Sequence, residues 1–237
     1  MPTTKRAAPV ANRLLAALPH KEYQRLLPQL EPVPLVFGDV LYEPGDIIRH
    51  VYFPDTGIIS LLSQVGSQKL LEVGVVGNEG VAGVPVVLGV RESLNKGLVQ
   101  SEGTAMRMKV AVLQREFKQD GALQKLLHRY LHSLLTQISQ SAVCNRFHMA
   151  DARLARWLLM THDRVGADEF RLTQEFLSNM LGVRREAVSK AASALQKRGF
   201  FNYSRGHITM LDRKGLEEFA CQCYRVIKDE GNHVYRG

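Results

Sequence analysis

LTQEFLSNMLGVRREAVSKAASALQKRGFFNYSRGHITML, residues 172–211, decides how this chain is read. Thr173 stands just ahead of an apolar-periodic run, where its hydroxyl can cap free N–H groups of a first helical turn. Glu175 suits the positive end of that helix's dipole. Phe176, Leu177, Met180 and Leu181 recur at helical spacing and give one buried stripe. Gly182 follows them, and a helix commonly ends where glycine can turn left-handed without steric penalty. Val183 is the apolar plug of the turn, and Ser178 is small where two helices must cross closely.

A second helix is predicted from residue 185 to about 198. Val188, Ala191, Ala192 and Leu195 face inward, which leaves Arg184, Arg185, Glu186, Ser189 and Lys190 outward near its start. Gly199 stops it. Two short strands at 200–203 and 207–211 follow, joined by the tight turn Ser204-Arg205-Gly206. An ordinary helical hairpin would explain the two helices alone. The small Ser178, the Gly182-Val183 turn, the outward Arg-Arg-Glu and the basic hairpin together predict a winged helix-turn-helix, which sets one helix in the major groove of DNA. Arginine there can bond bidentately to guanine, and glutamate can accept from the cytosine amino group. Thr173, Arg184, Arg185, Glu186, Ser189, Lys190, Arg205 and His207 are the expected DNA-facing residues.

Charge agrees with this placement. From Arg184 to Lys214 eight Lys/Arg stand against Glu186 and Asp212, a net +6, while all 237 residues carry +8. The pI near 9.5 suits a polyanionic partner. The chain is 45% apolar and long enough for one large domain or two small ones. It contains no apolar run long enough to span a membrane and no signal-peptide core, so a cytoplasmic protein without a membrane partner is expected. Three cysteines, Cys144, Cys221 and Cys223, are too few and too odd for a disulfide framework. Cys221 and Cys223 are expected on different faces of one helix, so free thiols and no metal are expected.

Upstream, short apolar runs at 31–110 alternate with turn clusters such as Glu43-Pro44-Gly45-Asp46 and Pro54-Asp55-Thr56-Gly57. Such spacing predicts a barrel or jelly roll. One or two short helices at 12–30 precede it, after a loose arm at 2–11. After Asp120-Gly121 a long helix is predicted, with Leu123, Leu127, Leu131, Leu134, Ile138 and Ala142 as one apolar seam for a second copy of the chain. Residues 151–166 give another amphipathic helix, with Leu154, Trp157, Leu158 and Met160 as the floor of the helix-turn-helix. A last helix is predicted at 216–228, and a frayed polar tail at 229–237. The fold class is α+β. Its parts are a double-stranded β-helix or jelly-roll sensor domain (1–118), a dimerisation helix (119–149) and a winged helix-turn-helix (150–237).

A barrel, a seam helix and a winged helix-turn-helix in this order resemble the Crp/Fnr family of bacterial transcription regulators. The most specific match is GVRREAVSK (182–190) followed by YSRGHITMLDRKGLE (203–217). The resemblance implies that Arg185, Glu186 and Lys190 read bases. It also implies a homodimer on an inverted repeat, with double-stranded DNA, a second copy and RNA polymerase as partners. No enzymatic activity is expected, because His50 alone cannot make a cupin-like metal centre and no strong nucleophile motif or phosphate loop appears. The family often has Ser where this chain has Arg184, which weakens the helix cap. Family members that bind cyclic nucleotides hold the ribose with Gly-Glu and the phosphate with Arg. Glu79 can match the acid, but Leu94 stands near the expected arginine, and leucine cannot pair with phosphate. The residues an effector would meet are Glu79, Gly80, Arg91 and Asn95. No cysteine precedes Cys144, which excludes the family's N-terminal iron–sulfur cluster. His20 and His50 are the only histidines ahead of the seam helix, and neither makes a haem pocket by itself. No cofactor is expected, and a cyclic nucleotide is argued against.

Overall fold

The computed structural model describes residues 10–66 and 69–236, leaving out the side chains of Val65, Lys69 and Glu175. The expected arm at 2–11 lies almost wholly outside the described residues, as does the dipole contact expected of Glu175.

Two antiparallel sheets make the N-terminal half. One is β1 (Glu31–Leu35), β7 (Gly103–Lys109) and β3 (His50–Pro54), in that order. The other is β2 (Val40–Tyr42), β6 (Lys96–Ser101), β4 (Ile58–Val65) and β5 (Lys69–Val76). Alternation sets their inner faces: in β3, Val51 and Phe53 are fully buried while His50 and Tyr52 are half-buried. Val51, Phe53, Ile59, Val76, Val99, Ala105 and Met108 from both sheets share one core. Asn12 ties the N-terminal helix α1 (Arg13–Ala16) to this jelly roll. Its carbonyl oxygen accepts from Leu15 N, and its amide donates to the carbonyls of Pro54 and Gly80, all while fully buried. A second short helix, α2 (His20–Leu26), follows.

Three helices then follow where the sequence predicted two. α3 (Val110–Phe117) was not anticipated; it begins where the reading carried β7 onward as a strand. α4 (Ala122–Phe147) is the expected long helix. Glu22 of α2 accepts from the free N–H groups of Ala122 and Leu123 and so caps it. After His148 and Met149, α5 (Ala150–Val165) begins, and Leu154, Trp157, Leu158 and Met160 are buried as the expected floor.

The seam on α4 needs correction. At 100° per residue the six predicted positions fan over about 100° of arc. Leu123, Leu127 and Leu134 sit on the near side of that arc and are buried against the chain's own barrel. Ile138 and Leu131 are half-buried, and Ala142 is exposed. The outward apolar strip is therefore Ile138, Leu131, Ala142 and Leu135, the last 61% exposed.

The C-terminus also departs from expectation. After α6 to α7 and the hairpin described below, it is two helices, α8 (Arg213–Phe219) and α9 (Cys223–His233), broken at 220–222. The tail is not frayed. Val234 is buried in the barrel core, the Tyr235 hydroxyl donates to the Glu79 carbonyl, and the Arg13 guanidinium stacks over the Tyr235 ring. Aromatic and apolar residues this close to the end have a place to bury that local polarity does not reveal.

Candidate nucleic-acid interface

α6 (Gln174–Leu181) opens as its sequence dictates: Thr173 Oγ1 accepts from Phe176 N at 3.2 Å. It ends at Gly182, φ 59°, in the left-handed region. α7 (Arg185–Lys197) follows, with Arg184 at its N-cap and no side-chain cap bond, as the replacement of serine implies. Val188, Ala191, Ala192 and Leu195 are buried, and Arg184, Arg185, Glu186 and Lys190 are exposed. Ser189 Oγ donates to Gln174 Oε1 at 3.1 Å, which joins the two helices near the outward edge.

β9 (Phe201–Ser204) and β10 (His207–Met210) pair antiparallel with Ser204 opposite His207, so Arg205 and Gly206 form a two-residue turn. Both have positive φ, 51° and 81°, as a primed hairpin turn requires. The turn leaves Arg205 exposed at the tip, with exposed His207 beside it. A third strand, β8 (Glu169–Arg171), was missed by the sequence reading; it pairs with β10 and brings Arg171 opposite His207. Three residues are too few to show a period. Sequence reasoning also missed Arg153. Buried on α5, it donates to the carbonyl of Leu181, the last residue of α6, and fixes the turn to its floor.

Thr173, Arg184, Arg185, Glu186, Ser189, Lys190, Arg205 and His207 thus sit on the start of α6, the start of α7 and the hairpin. Apart from half-buried Ser189, all are exposed. The four expected effector residues are not gathered. Glu79 forms a half-buried ion pair with Arg164 of α5 at 2.8 Å and lines a cleft with Arg13, Asp163 and Tyr224. Arg91 is exposed. Asn95 donates to Ser63 Oγ and lines a groove of about 260 Å³ between α4 and residues 83–95, walled mainly by apolar residues such as Leu61, Leu88, Leu94 and Leu134, with Glu92 and Ser93 at its polar side. No arginine or lysine lines that groove among the described residues.

Gly80 is covered by Tyr130 of α4, and a Cβ there would run into the phenol ring. Gly80→Ala should therefore destabilise the fold by about 1–3 kcal/mol through overpacking. Urea midpoints would read this, and an unchanged midpoint would show that Tyr130 moves aside freely.

The two halves are locked to each other beside this interface. Phe176 of α6 packs on Phe37 of the barrel, ring centroids 6.0 Å apart. The Trp157 Nε1–H donates to Glu72 of β5 at 2.7 Å. Glu72 is half-buried as a residue, but its carboxyl group is enclosed by protein. Desolvation pushes that carboxyl up to about 7, against the hydrogen bonds from Ser60 and Trp157 and the charges of Arg156 and Arg164.

Residues 152–219 match the Crp-like helix-turn-helix domain. No curated protein is significantly similar to the chain. Among solved structures, FixK2 from Bradyrhizobium japonicum is similar at 16% identity, with 81% of this chain and 98% of that one covered and a TM-score of 0.69. A transcriptional regulator of the Crp/Fnr family from Eubacterium rectale, described as putative, has 16% identity, 88% and 98% coverage and a TM-score of 0.68. A Crp/Fnr-family transcriptional regulator from Thermus thermophilus has 22% identity, 80% and 98% coverage and a TM-score of 0.62. These likenesses give the fold over four fifths of the chain or more, and the domain match covers the interface itself. Residues 152–219 are thus a Crp-like helix-turn-helix domain, carried on a chain whose fold is that of solved regulators described as Crp/Fnr-family.

Proposed function

We propose that the chain acts as a homodimer on an inverted-repeat operator, with α7 of each copy entering a major groove. The observation that carries this is the outward edge Arg184-Arg185-Glu186-Lys190, with Arg205 on the hairpin at its side. Thr173, Ser189 and His207 complete the set. Two-fold symmetry sets half-sites about 10 base pairs apart or a multiple of that. The second copy meets the strip Leu131, Leu135, Ile138 and Ala142 of α4. Exposed Leu88 and Leu94 continue it across the barrel groove. An effector in that groove would meet a largely apolar wall with Glu92, Ser93 and Asn95 as polar contacts, which suits a mostly apolar molecule without a phosphate better than a cyclic phosphate. On this reading the protein works in the cytoplasm with RNA polymerase as a further partner; no described helix is long and apolar enough to cross a membrane.

Arg185→Ala tests the groove-facing role. Affinity for the operator should fall by about 1–3 kcal/mol, with discrimination relaxed at one base pair of each half-site. Binding to a panel of single-substitution duplexes reads both. A uniform loss on every duplex would make Arg185 a phosphate contact. Sedimentation of Leu135→Glu reads the dimer: the variant should run as a monomer, and an unchanged dimer would place the interface elsewhere.

A further inference from the structure

Cys144 lies on the last turn of α4, and His148 is the extended residue that caps that helix, its N–H donating to the Cys144 carbonyl. Cys221 and Cys223 come from the other end of the chain. They were expected to diverge because a single helix would turn i and i+2 about 200° apart. The structure breaks the helix there. Cys221 stands in the step between α8 and α9, and Cys223 opens α9, so both thiols turn toward the end of α4.

The four ligand atoms lie within 4.8 Å of one another. Cys144 Sγ is 3.6 Å from Cys221 Sγ, and Cys223 Sγ is 3.7 Å from His148 Nδ1. A disulfide needs about 2.05 Å between sulfurs, so the thiols are separate. A tetrahedral zinc ion, with bonds of about 2.3 Å to sulfur and about 2.0–2.1 Å to nitrogen, sets its ligand atoms about 3.5–3.8 Å apart. Two edges already have that length. The remaining closure is within reach of small side-chain rotations.

Charge supplies a second, independent observation. Arg153 and Arg156 are buried on α5, and each leaves its Nε without a hydrogen-bond partner among the described residues. Arg156 reaches Ser141 of α4, one turn before Cys144. Buried cations are costly unless a counter-charge lies close. Three thiolates around a divalent ion carry a net charge of −1, which would give these arginines that counter-charge.

We propose that Cys144, His148, Cys221 and Cys223 form a closed, four-coordinate Zn²⁺ site. Three sulfurs and one imidazole favour zinc over the oxygen-seeking cations, and all four positions of the tetrahedron are filled by protein, so the site is structural. Each cysteine that binds releases its thiol proton to solvent. The ion ties the end of the long helix to the α8–α9 step and so clamps the two-residue link, His148-Met149, between α4 and the DNA-binding half.

The test uses the full chain, purified under reducing conditions, supplied with zinc and passed through gel filtration. Elemental analysis should find one zinc per chain. Cobalt in place of zinc should give the visible ligand-field absorption of a tetrahedral thiolate site. Chelation should lower Tm by about 5–10 °C. Cys221→Ser and His148→Ala, both at incompletely buried positions, should keep the circular dichroism of the parent and retain well under half of its zinc. Little zinc on the parent, with three thiols that react equally fast whether or not zinc is present, would overturn the proposal. So would full zinc retention in both variants, or iron with inorganic sulfide in its place. The readout is independent of DNA binding, so the proposed operator function can fail while the zinc site stands.

Discussion

Raising salt from 50 to 200 mM should lower operator affinity by about 10³–10⁵-fold, the loss expected when six to ten phosphates are neutralised. Each subunit offers Arg184, Lys190 and Arg205 at exposed positions around the start of α7, together with the free N–H groups at the N-termini of α6 and α7. Two subunits double that footprint. Because condensed counterions are released for every phosphate contacted, the log–log slope should be about −0.9 per contact. Fluorescence anisotropy on one labelled duplex across a potassium chloride series measures it. Arg205→Ala removes one contact per subunit, so the slope should become shallower by about 2, with sequence preference retained. A slope near zero for the parent chain would remove the basic edge from the phosphates and the operator model with it.

What the sequence revealed at the DNA face was local chemistry. A threonine cap, a left-handed glycine after the last apolar residue and a tight turn closed by glycine each act within a few residues, so spacing displays them, although the turn is one residue shorter than the Ser204-Arg205-Gly206 read from the sequence. The jelly roll was legible for the same reason, since short alternating runs and turn clusters recur along it. The split of α4 into an inward and an outward face was not. The 4-4-3-4-4 spacing looks like one stripe until its drift around the helix is followed, and the barrel, not the helix, decides which half is covered. Leu123 and Leu131 carry the same residue type and differ only in what lies beside them. The break at 220–222 hid the convergence of Cys221 and Cys223 on His148, because an amphipathic pattern carries across a one-step interruption. Arg153 reads as an ordinary charged residue on a helix. Its role appears only when the carbonyl of Leu181 is placed against it.

Glu72→Gln should stabilise the protein by about 2–3 kcal/mol above pH 7 and leave it nearly unchanged below pH 4.5. The reason lies in the hydrogen count around Ser60. Its hydroxyl lies 2.8 Å from Glu72 Oε2 and 2.6 Å from Gln100 Oε1, yet it has one proton to give. A neutral Glu72 resolves this. Its Oε2–H donates to Ser60 Oγ, Ser60 donates to Gln100, and Oε1 still accepts from Trp157. Gln100 Nε2 then donates to Thr161 of α5 at 3.3 Å, so the chain of bonds crosses from barrel to DNA-binding half twice. The folded carboxyl is raised to about 7 from an ordinary 4.5. Below 4.5 both folded and unfolded chains hold the proton, and the network's stability is fully present. Between 4.5 and 7 the unfolded chain releases it first, so stability falls as pH rises, and above 7 the loss levels off. The full shift corresponds to about 3 kcal/mol, and relaxation of the surroundings around the charged form reduces it to about 2–3. Glutamine reproduces the neutral pattern at every pH, donating to Ser60 and accepting from Trp157. Urea midpoints for parent and variant at about pH 4.5 and pH 8 read the difference directly. If the two proteins lose stability equally across that range, Glu72 is ionised in the fold and the Ser60 proton points to it instead.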